Sequence, residues 1–149
     1  MIRQDAILTG LWTQLNSDTN LRSILGATER IVKGPKRPDK IANPCITVHM
    51  PVNVLRADWY GTNKMLLTYS DPLLVNIFVN NHPNGAMNVA LLDTICARVH
   101  TISAQAKPAI TGASVHRLGL LSEAGPLYDQ QSPGEAMKVI AMGYWITPA

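Results

Sequence analysis

Residues 71–103 constrain the fold of this chain more than any other stretch, because their apolar residues change period partway along. From Leu73 to Asn80 the apolar residues alternate in period two, which predicts a strand with one apolar face. The following NNHPNG segment, residues 80–85, is rich in residues that break regular structure. The period then becomes helical, and helix on sheet predicts a two-layer core. The predicted helical stripe consists of Val89, Leu92, Ile95, Cys96, Val99 and Ile102.

The flanking sequence predicts a short helix pair before this stretch and further strands around it. Helical spacing covers residues 2–16, and Asp18 is placed to cap a second helix that stops at Gly26. Asp71-Pro72 fits either a bend in one continuous strand or a hairpin. The other strands are predicted within residues 45–54, 64–69, 113–121 and 137–146, with loop or strand tip at 55–63 and turns at 123–133.

This order of elements predicts an α+β fold, with a mainly antiparallel sheet packed by one long helix and a short N-terminal helix pair. At 149 residues the chain is expected to form a single domain, 1–149. Within it we expect N-terminal helices at 2–26, a basic loop at 30–44 and a sheet-and-helix core at 45–147.

Composition favours a chain whose surface is partly covered by partners. Charged residues are only 15% of the chain, whereas a globular average is about 25%. No apolar run reaches the length of a membrane span, so we expect no membrane partner. The first residues, with Asp5 among them, do not have the pattern of a secretory signal, which favours synthesis and assembly in the cytoplasm.

Positive charge is concentrated in one loop. The net charge is +3, yet residues 1–70 hold nine basic and five acidic side chains. One hypothesis is that the loop contacts DNA phosphates or an acidic protein surface, and the other is that it is a solvated loop. The segment lacks interleaved aromatic residues, which disfavours a platform for single strands. The basic residues are Arg30, Lys33, Lys36, Arg37 and Lys40, opposed locally by Asp39.

The last predicted strand, Met137–Ile146, is apolar on both faces. Such a strand is central in a sheet covered on both sides, or it lines an interface. One face carries Met137, Val139, Ala141 and Trp145. The other face is the predicted subunit interface, and it carries Ile140, Met142, Tyr144 and Ile146.

No motif predicts a reaction. The sequence contains no P-loop, no G-x-S-x-G and no G-x-G-x-x-G. Cys45 and Cys96 are expected to be buried free thiols. The four histidines are scattered without H-x-x-x-H or H-x-H spacing, so we predict no catalytic residue, cofactor or metal. A small DNA-binding module, or an α+β enzyme or ligand-binding protein with a pocket between helix and sheet, are the competing hypotheses.

The order and lengths of these elements resemble the tail terminator and tail-completion family of tailed bacteriophages. One departure is the segment Val54–Met65, which is longer than simple members of the family have. The resemblance rests on Ile7–Leu15, Leu21–Leu25, Arg30–Lys33, Pro44–Val48, Pro72–Val79, Val89–Ile102, Val115–Leu121, Lys138–Ile146 and Tyr128-Asp129 near the tip of the final two-strand unit.

The resemblance implies a structural role in the tail or neck of a virion. Family members form a ring, usually a hexamer, that caps the tail tube and ends its polymerisation. The ring then joins the tail to the head connector or stopper protein, and genomic DNA passes through its lumen. A head–tail adaptor or stopper ring is the close alternative, and the family provides no residue-specific site to transfer.

Overall fold

The structure, a computed structural model, describes residues 4–26, 29–50, 55–60, 65–70, 73–128 and 134–148. These residues form three helices and seven strands, which confirms the predicted α+β class. Among the described helices, none is long and apolar enough to cross a membrane. In chain order the elements are α1 (Gln4–Asn16), α2 (Thr19–Leu25), β1 (Ile31–Lys33), β2 (Cys45–His49), β3 (Leu55–Tyr60), β4 (Met65–Ser70), β5 (Leu73–Asn80), α3 (Val89–Gln105), β6 (Ala113–Tyr128) and β7 (Glu135–Pro148).

Two long antiparallel hairpins build most of the sheet, and β1 lies at its edge, parallel to β2. In the first hairpin, β2 is antiparallel to β5 and β3 is antiparallel to β4. In the second hairpin, β6 is antiparallel to β7. Because β6 pairs along nearly the whole of β7, β4 and β5 share the other edge of β7. Tyr69 lies opposite Trp145 and Leu73 opposite Met142, so β4 and β5 follow each other along one line. This confirms the bent-strand alternative over the hairpin; Asp71-Pro72 itself lies outside the described residues.

Two sequence predictions about strands were wrong. Leu55–Tyr60, predicted as a loop or strand tip, is a strand paired in register with β4. Gly125-Pro126, predicted as a turn, lies inside β6. A bulge between Ala124 and Leu127 accommodates it, and proline is tolerated because β6 pairs with β7 alone in the described sheet. Of the turn predicted at Ser132-Pro133-Gly134, Ser132 and Pro133 lie outside the described residues, and Gly134 is a turn residue.

The helices cover one face of the sheet. The stripe of α3 is buried as predicted from Leu92 to Ile102, whereas Val89, in the first turn, is 38% exposed. Buried side chains of α1, α2, α3 and the strands form one apolar cluster. At Gly10 the backbone of α1 approaches the loop after α3 so closely that a Cβ would lie 2.8 Å from the Ala109 carbonyl oxygen.

Asp18 fixes the N-terminal helix pair to the long helix. Its side chain accepts a hydrogen bond from the Leu21 amide at 2.7 Å, capping α2 as predicted, and α2 ends at Gly26 with a left-handed φ of 85°. The same carboxylate accepts two hydrogen bonds from Arg98 of α3, at 2.9 and 2.6 Å. These bonds lower the pKa of Asp18, the Arg98 contact most strongly.

Because of this ion pair, we expect the free energy of unfolding to depend on pH in the acid range. A carboxylate whose folded pKa is lowered contributes stability above its unfolded pKa, near 3.8, and loses that contribution as pH falls through the folded value. Asp18→Asn keeps a capping oxygen but not the charge, so its deficit in unfolding free energy against the native chain should shrink between pH 7 and pH 3 in urea titrations. Asp18→Ala should cost about 1 kcal/mol more through loss of the cap. A deficit for Asp18→Asn that is equal at both pH values would contradict the role of the ion pair.

Candidate functional site

The basic loop folds back onto the sheet face that is opposite to the helices. Glu135 and Asn80 are register partners at this end of the sheet. Arg37 donates through Nη2 to Glu135 Oε1 and through Nη1 to the Ile41 carbonyl, the latter at 2.6 Å. Asn43 donates to Asn80 Oδ1 at 2.9 Å. These hydrogen bonds attach the loop to the sheet. Cys45, which lies beside the loop, is buried, and this burial raises the pKa of its thiol to about 12.

Three of the five predicted contact residues already have partners within the chain. Besides Arg37, Arg30 donates to the Asn43 carbonyl at 2.9 Å. Lys33 donates to Thr9 Oγ1 at 2.7 Å and lies over the Trp12 ring, 5.3 Å from its centroid. These three cations therefore hold the loop and α1 in place within the chain, and the contact of all five residues with DNA or an acidic partner stays a prediction. Lys36 and Lys40 are exposed, so these two residues are the best placed for contact with DNA or an acidic protein surface.

The two exposed lysines give the loop hypothesis a clean test. Lys36→Gln with Lys40→Gln should leave folding unchanged and weaken binding to duplex DNA. Because each phosphate contact contributes roughly 0.9 to the salt slope, the slope of log K against log salt should fall by about 2. The exposed Lys107, in the loop after α3, provides the control as Lys107→Gln. Equal affinity and slope for all three proteins, measured by fluorescence anisotropy, would reject a DNA contact by this loop.

The four residues predicted at a subunit interface lie in the core instead. Ile140, Met142, Tyr144 and Ile146 are between 0 and 2% exposed and belong to the cluster beneath the helices. The physical reason is the period of the strand: the set that faces the helices has no surface left for a neighbour. Burial also raises the pKa of the Tyr144 hydroxyl.

The alternate residues of β7 lie on the sheet face that none of the described helices covers. Met137, Val139 and Trp145 are half-buried or buried there. The same face carries a polar group on the neighbouring strands, in which Asn76 donates to Thr47 Oγ1 at 3.2 Å and lies 3.3 Å from Nδ1 of His49. We call this face of the β2–β5–β7 region the open face. The centre of this face is buried, since Thr47, Asn76, Phe78 and Ala141 are 0–8% exposed. The part that a neighbouring subunit could contact is therefore the half-buried set Met137, Val139 and Trp145.

The outer strand of the second hairpin carries an exposed segment, residues 122–128 of β6, which we call the arm. All seven residues of the arm are exposed. Leu127 and Tyr128 are 46% and 54% exposed, and with Val89 they are the large exposed hydrophobic side chains of the described residues. An outer strand with exposed apolar side chains is a site for contact with another chain. The sequence places Tyr128-Asp129 near the tip of this two-strand unit; Tyr128 is the last residue of β6, and Asp129 lies outside the described residues.

A polar cluster joins the arm to α3, and the sequence predictions missed it. Lys138 donates to Glu123 at 2.7 Å and to Asp93 at 3.0 Å, while Cys96 donates to the same Glu123 carboxylate at 3.2 Å. His100 Nε2 lies 3.2 Å from the other Glu123 oxygen. Cys96, His100 and Glu123 are the set of described residues whose ligand atoms are close enough to share a metal ion.

The electrostatics of this cluster follow from its contacts. The hydrogen bond from Lys138, aided by the Cys96 thiol, lowers the pKa of Glu123 to about 2. The same contact raises the pKa of Lys138. Burial and the nearby carboxylate raise the pKa of Cys96 to about 12, so this thiol is protonated at neutral pH and is a poor nucleophile. The cluster suits holding elements together rather than covalent catalysis.

Comparison with known proteins finds a protein of similar fold but no family of similar sequence. No protein-family profile matches the chain, and no curated protein matches its sequence. Among solved structures, the chain is similar to one from a structure titled "Virion of native gene transfer agent (GTA) particle". The two superimpose with a TM-score of 0.69 over 96% of each chain at 12% identity. At this identity the likeness shows a shared fold over nearly the whole of both chains.

Proposed function

We propose that this protein is a structural component of a phage-like virion. The observation that carries the proposal is the fold likeness to a chain of a gene transfer agent virion, which extends over nearly the whole of both chains. A low charged fraction and an exposed arm with apolar side chains support a subunit that works in contact with others. A working site for substrate turnover is not needed for this role.

The finer proposal is a tail terminator. In this role about six copies close into a ring that caps the tail tube, stops its polymerisation and joins it to the head connector, at the neck of a particle assembled in the host cytoplasm. Ring closure requires a heterologous interface, in which one surface of a subunit meets a different surface of the next. The open face and the arm are two such surfaces, and the exposed Lys36 and Lys40 are suited to the DNA that passes through the lumen or to an acidic connector surface.

Deleting the gene in the producing host tests the role directly, because the candidate neck proteins fail differently. Loss of a terminator should leave DNA-filled heads without tails together with tubes of abnormal length. Loss of an adaptor or stopper should leave tails of normal length beside heads that have released their DNA. Restoration by the gene in trans controls for effects on neighbouring genes. Particles that are complete and infectious without the protein would refute a structural role in the virion.

Solution mass tests the ring. Light scattering combined with negative-stain imaging of the same fraction should give a mass of about six subunits and annular particles, alone or after addition of purified tail tubes. Leu127→Ser with Tyr128→Ser should lower this mass while leaving the thermal transition of the subunit in place. A monomer in both conditions would reject ring formation.

A further inference from the structure

The cluster between α3 and the arm has the ligand types of a soft divalent metal site. Helix α3 places Cys96 and His100 four residues apart, so their side chains project from the same face one turn from each other. Strand β6 brings Glu123 to that face from 23 residues beyond His100. A thiolate, an imidazole and a carboxylate are the donors that Zn²⁺ takes in proteins, and three protein ligands leave a fourth position for water.

The distances already fit a tetrahedral ion. Glu123 Oε1 lies 3.2 Å from Cys96 Sγ, and Glu123 Oε2 lies 3.2 Å from His100 Nε2. One donor atom from each of the three residues lies within 4.8 Å of the other two. Bond lengths of 2.0–2.3 Å imply about 3.3–3.8 Å between neighbouring ligand atoms of a tetrahedral site, so small rotations of the side chains suffice. His100 also borders a solvent-open cavity of about 480 Å³, so solvent reaches this ligand.

We propose that Cys96, His100 and Glu123 bind one zinc-class divalent cation that clamps the arm to helix α3. On binding, the Cys96 thiol loses its proton to solvent and its sulfur forms the metal bond, so one proton is released for each metal ion bound. The clamp adds a metal-ligand link to the hydrogen bonds and ion pairs that join α3 to the arm. It is independent of the ring proposed above, because all three ligands belong to one chain.

Lys138 holds the place of the cation in the metal-free arrangement. Its ammonium group lies 2.7 Å from Glu123 Oε1, the oxygen that also accepts from Cys96, and it retains Asp93 as a second partner at 3.0 Å. Metal binding therefore displaces the Lys138 ammonium group from Glu123, while its ion pair with Asp93 remains. Since two cations beside one carboxylate repel each other, Lys138→Gln should bind the metal about tenfold or more tightly than the native chain.

Cobalt titration of the full chain is the test, because Co²⁺ replaces Zn²⁺ and reports its ligands by absorption. The expected result is one Co²⁺ per chain, with the visible bands of tetrahedral cobalt and a thiolate-to-cobalt charge-transfer band in the near ultraviolet. Cys96→Ser should abolish the charge-transfer band and Cys45→Ser should retain it. His100→Ala should weaken binding at least tenfold, whereas His82→Ala, at an exposed turn, should not.

Zinc should also stabilise the protein. At a free concentration one hundred times the dissociation constant, the midpoint of thermal unfolding should rise by about 5–10 °C. Circular dichroism establishes that each variant is folded, and if Cys96→Ser does not fold, the cobalt affinities of His100→Ala and Lys138→Gln decide the question. The proposal is overturned by native protein that shows no charge-transfer band, by a band that survives Cys96→Ser, or by Lys138→Gln and His100→Ala proteins that both bind cobalt as the native chain does.

Discussion

Replacing Ile140 by aspartate is expected to unfold the subunit. Ile140 is fully buried on β7, opposite Val75 in the register, and lies within the apolar cluster beneath the helices. An aspartate there loses the packing of the isoleucine and places an unpaired carboxyl group in an apolar environment. The expected cost is about 4–5 kcal/mol or more, which is comparable to the whole stability of a small domain. Circular dichroism and thermal melting of the purified variant measure the loss.

Val139→Asp is the matched control, because it introduces the same charge one residue earlier on the same strand. Val139 is half-buried on the open face, so the variant should fold, with a modest loss of stability, and should fail to assemble if that face contacts a neighbour. A folded, monomeric Ile140→Asp protein would contradict the core position of Ile140 and would restore the predicted interface of Ile140, Met142, Tyr144 and Ile146.

Breaking the Arg37–Glu135 ion pair is the second large effect that we expect. The side chains are 20% and 11% exposed, so each charge is largely removed from water and depends on the other. Glu135→Ala leaves the guanidinium without its carboxylate, and Arg37→Ala also removes the hydrogen bond to the Ile41 carbonyl. Each single substitution should cost about 2–3 kcal/mol, less than for a fully buried pair.

A double-mutant cycle separates the pair from the other contacts of each residue. The double variant Arg37→Ala, Glu135→Ala should cost at least about 1 kcal/mol less than the sum of the two single costs. Lys40→Ala, at an exposed position of the same loop, should change stability by less than about 0.5 kcal/mol. If the double variant costs the sum of the two single variants to within about 0.5 kcal/mol, the loop is held by something other than this pair.

The parts of the fold that depend on local periodicity could be predicted from the sequence. The buried stripe of α3, the cap at Asp18 and the C-cap at Gly26 follow from side-chain spacing and backbone preference within a few residues. The strand Leu55–Tyr60 is harder to predict, because its alternation is short and ends at Gly61, so the pattern alone does not separate a strand from a strand tip or loop.

The face of β7 could not be assigned because both of its side-chain sets are apolar. Period two separates Val139 from Ile140 but does not say which of them meets the helices. That information lies in the pairing of β7 with β5, where Ile140 is aligned with the buried Val75.

The polar contacts that define the candidate site connect residues far apart in sequence. Arg37 and Glu135 are 98 residues apart, and Cys96 and Glu123 are 27 residues apart. The bulges of β6 also shift its register before and after Glu123, so that no simple count of residues places this carboxylate against α3. The one local signal was the four-residue spacing of Cys96 and His100, and a search for paired histidines alone misses it.

The most direct measurement of the proposed role is the position of the protein in the particle. The chain would be labelled with a single gold cluster through an affinity tag, and particles purified from the producing host would be imaged by electron microscopy. If the protein is a tail terminator, the label should be confined to the junction between head and tail, in several copies per particle. Purified, intact particles that carry no label there, while the tagged protein supports their assembly, would contradict this role.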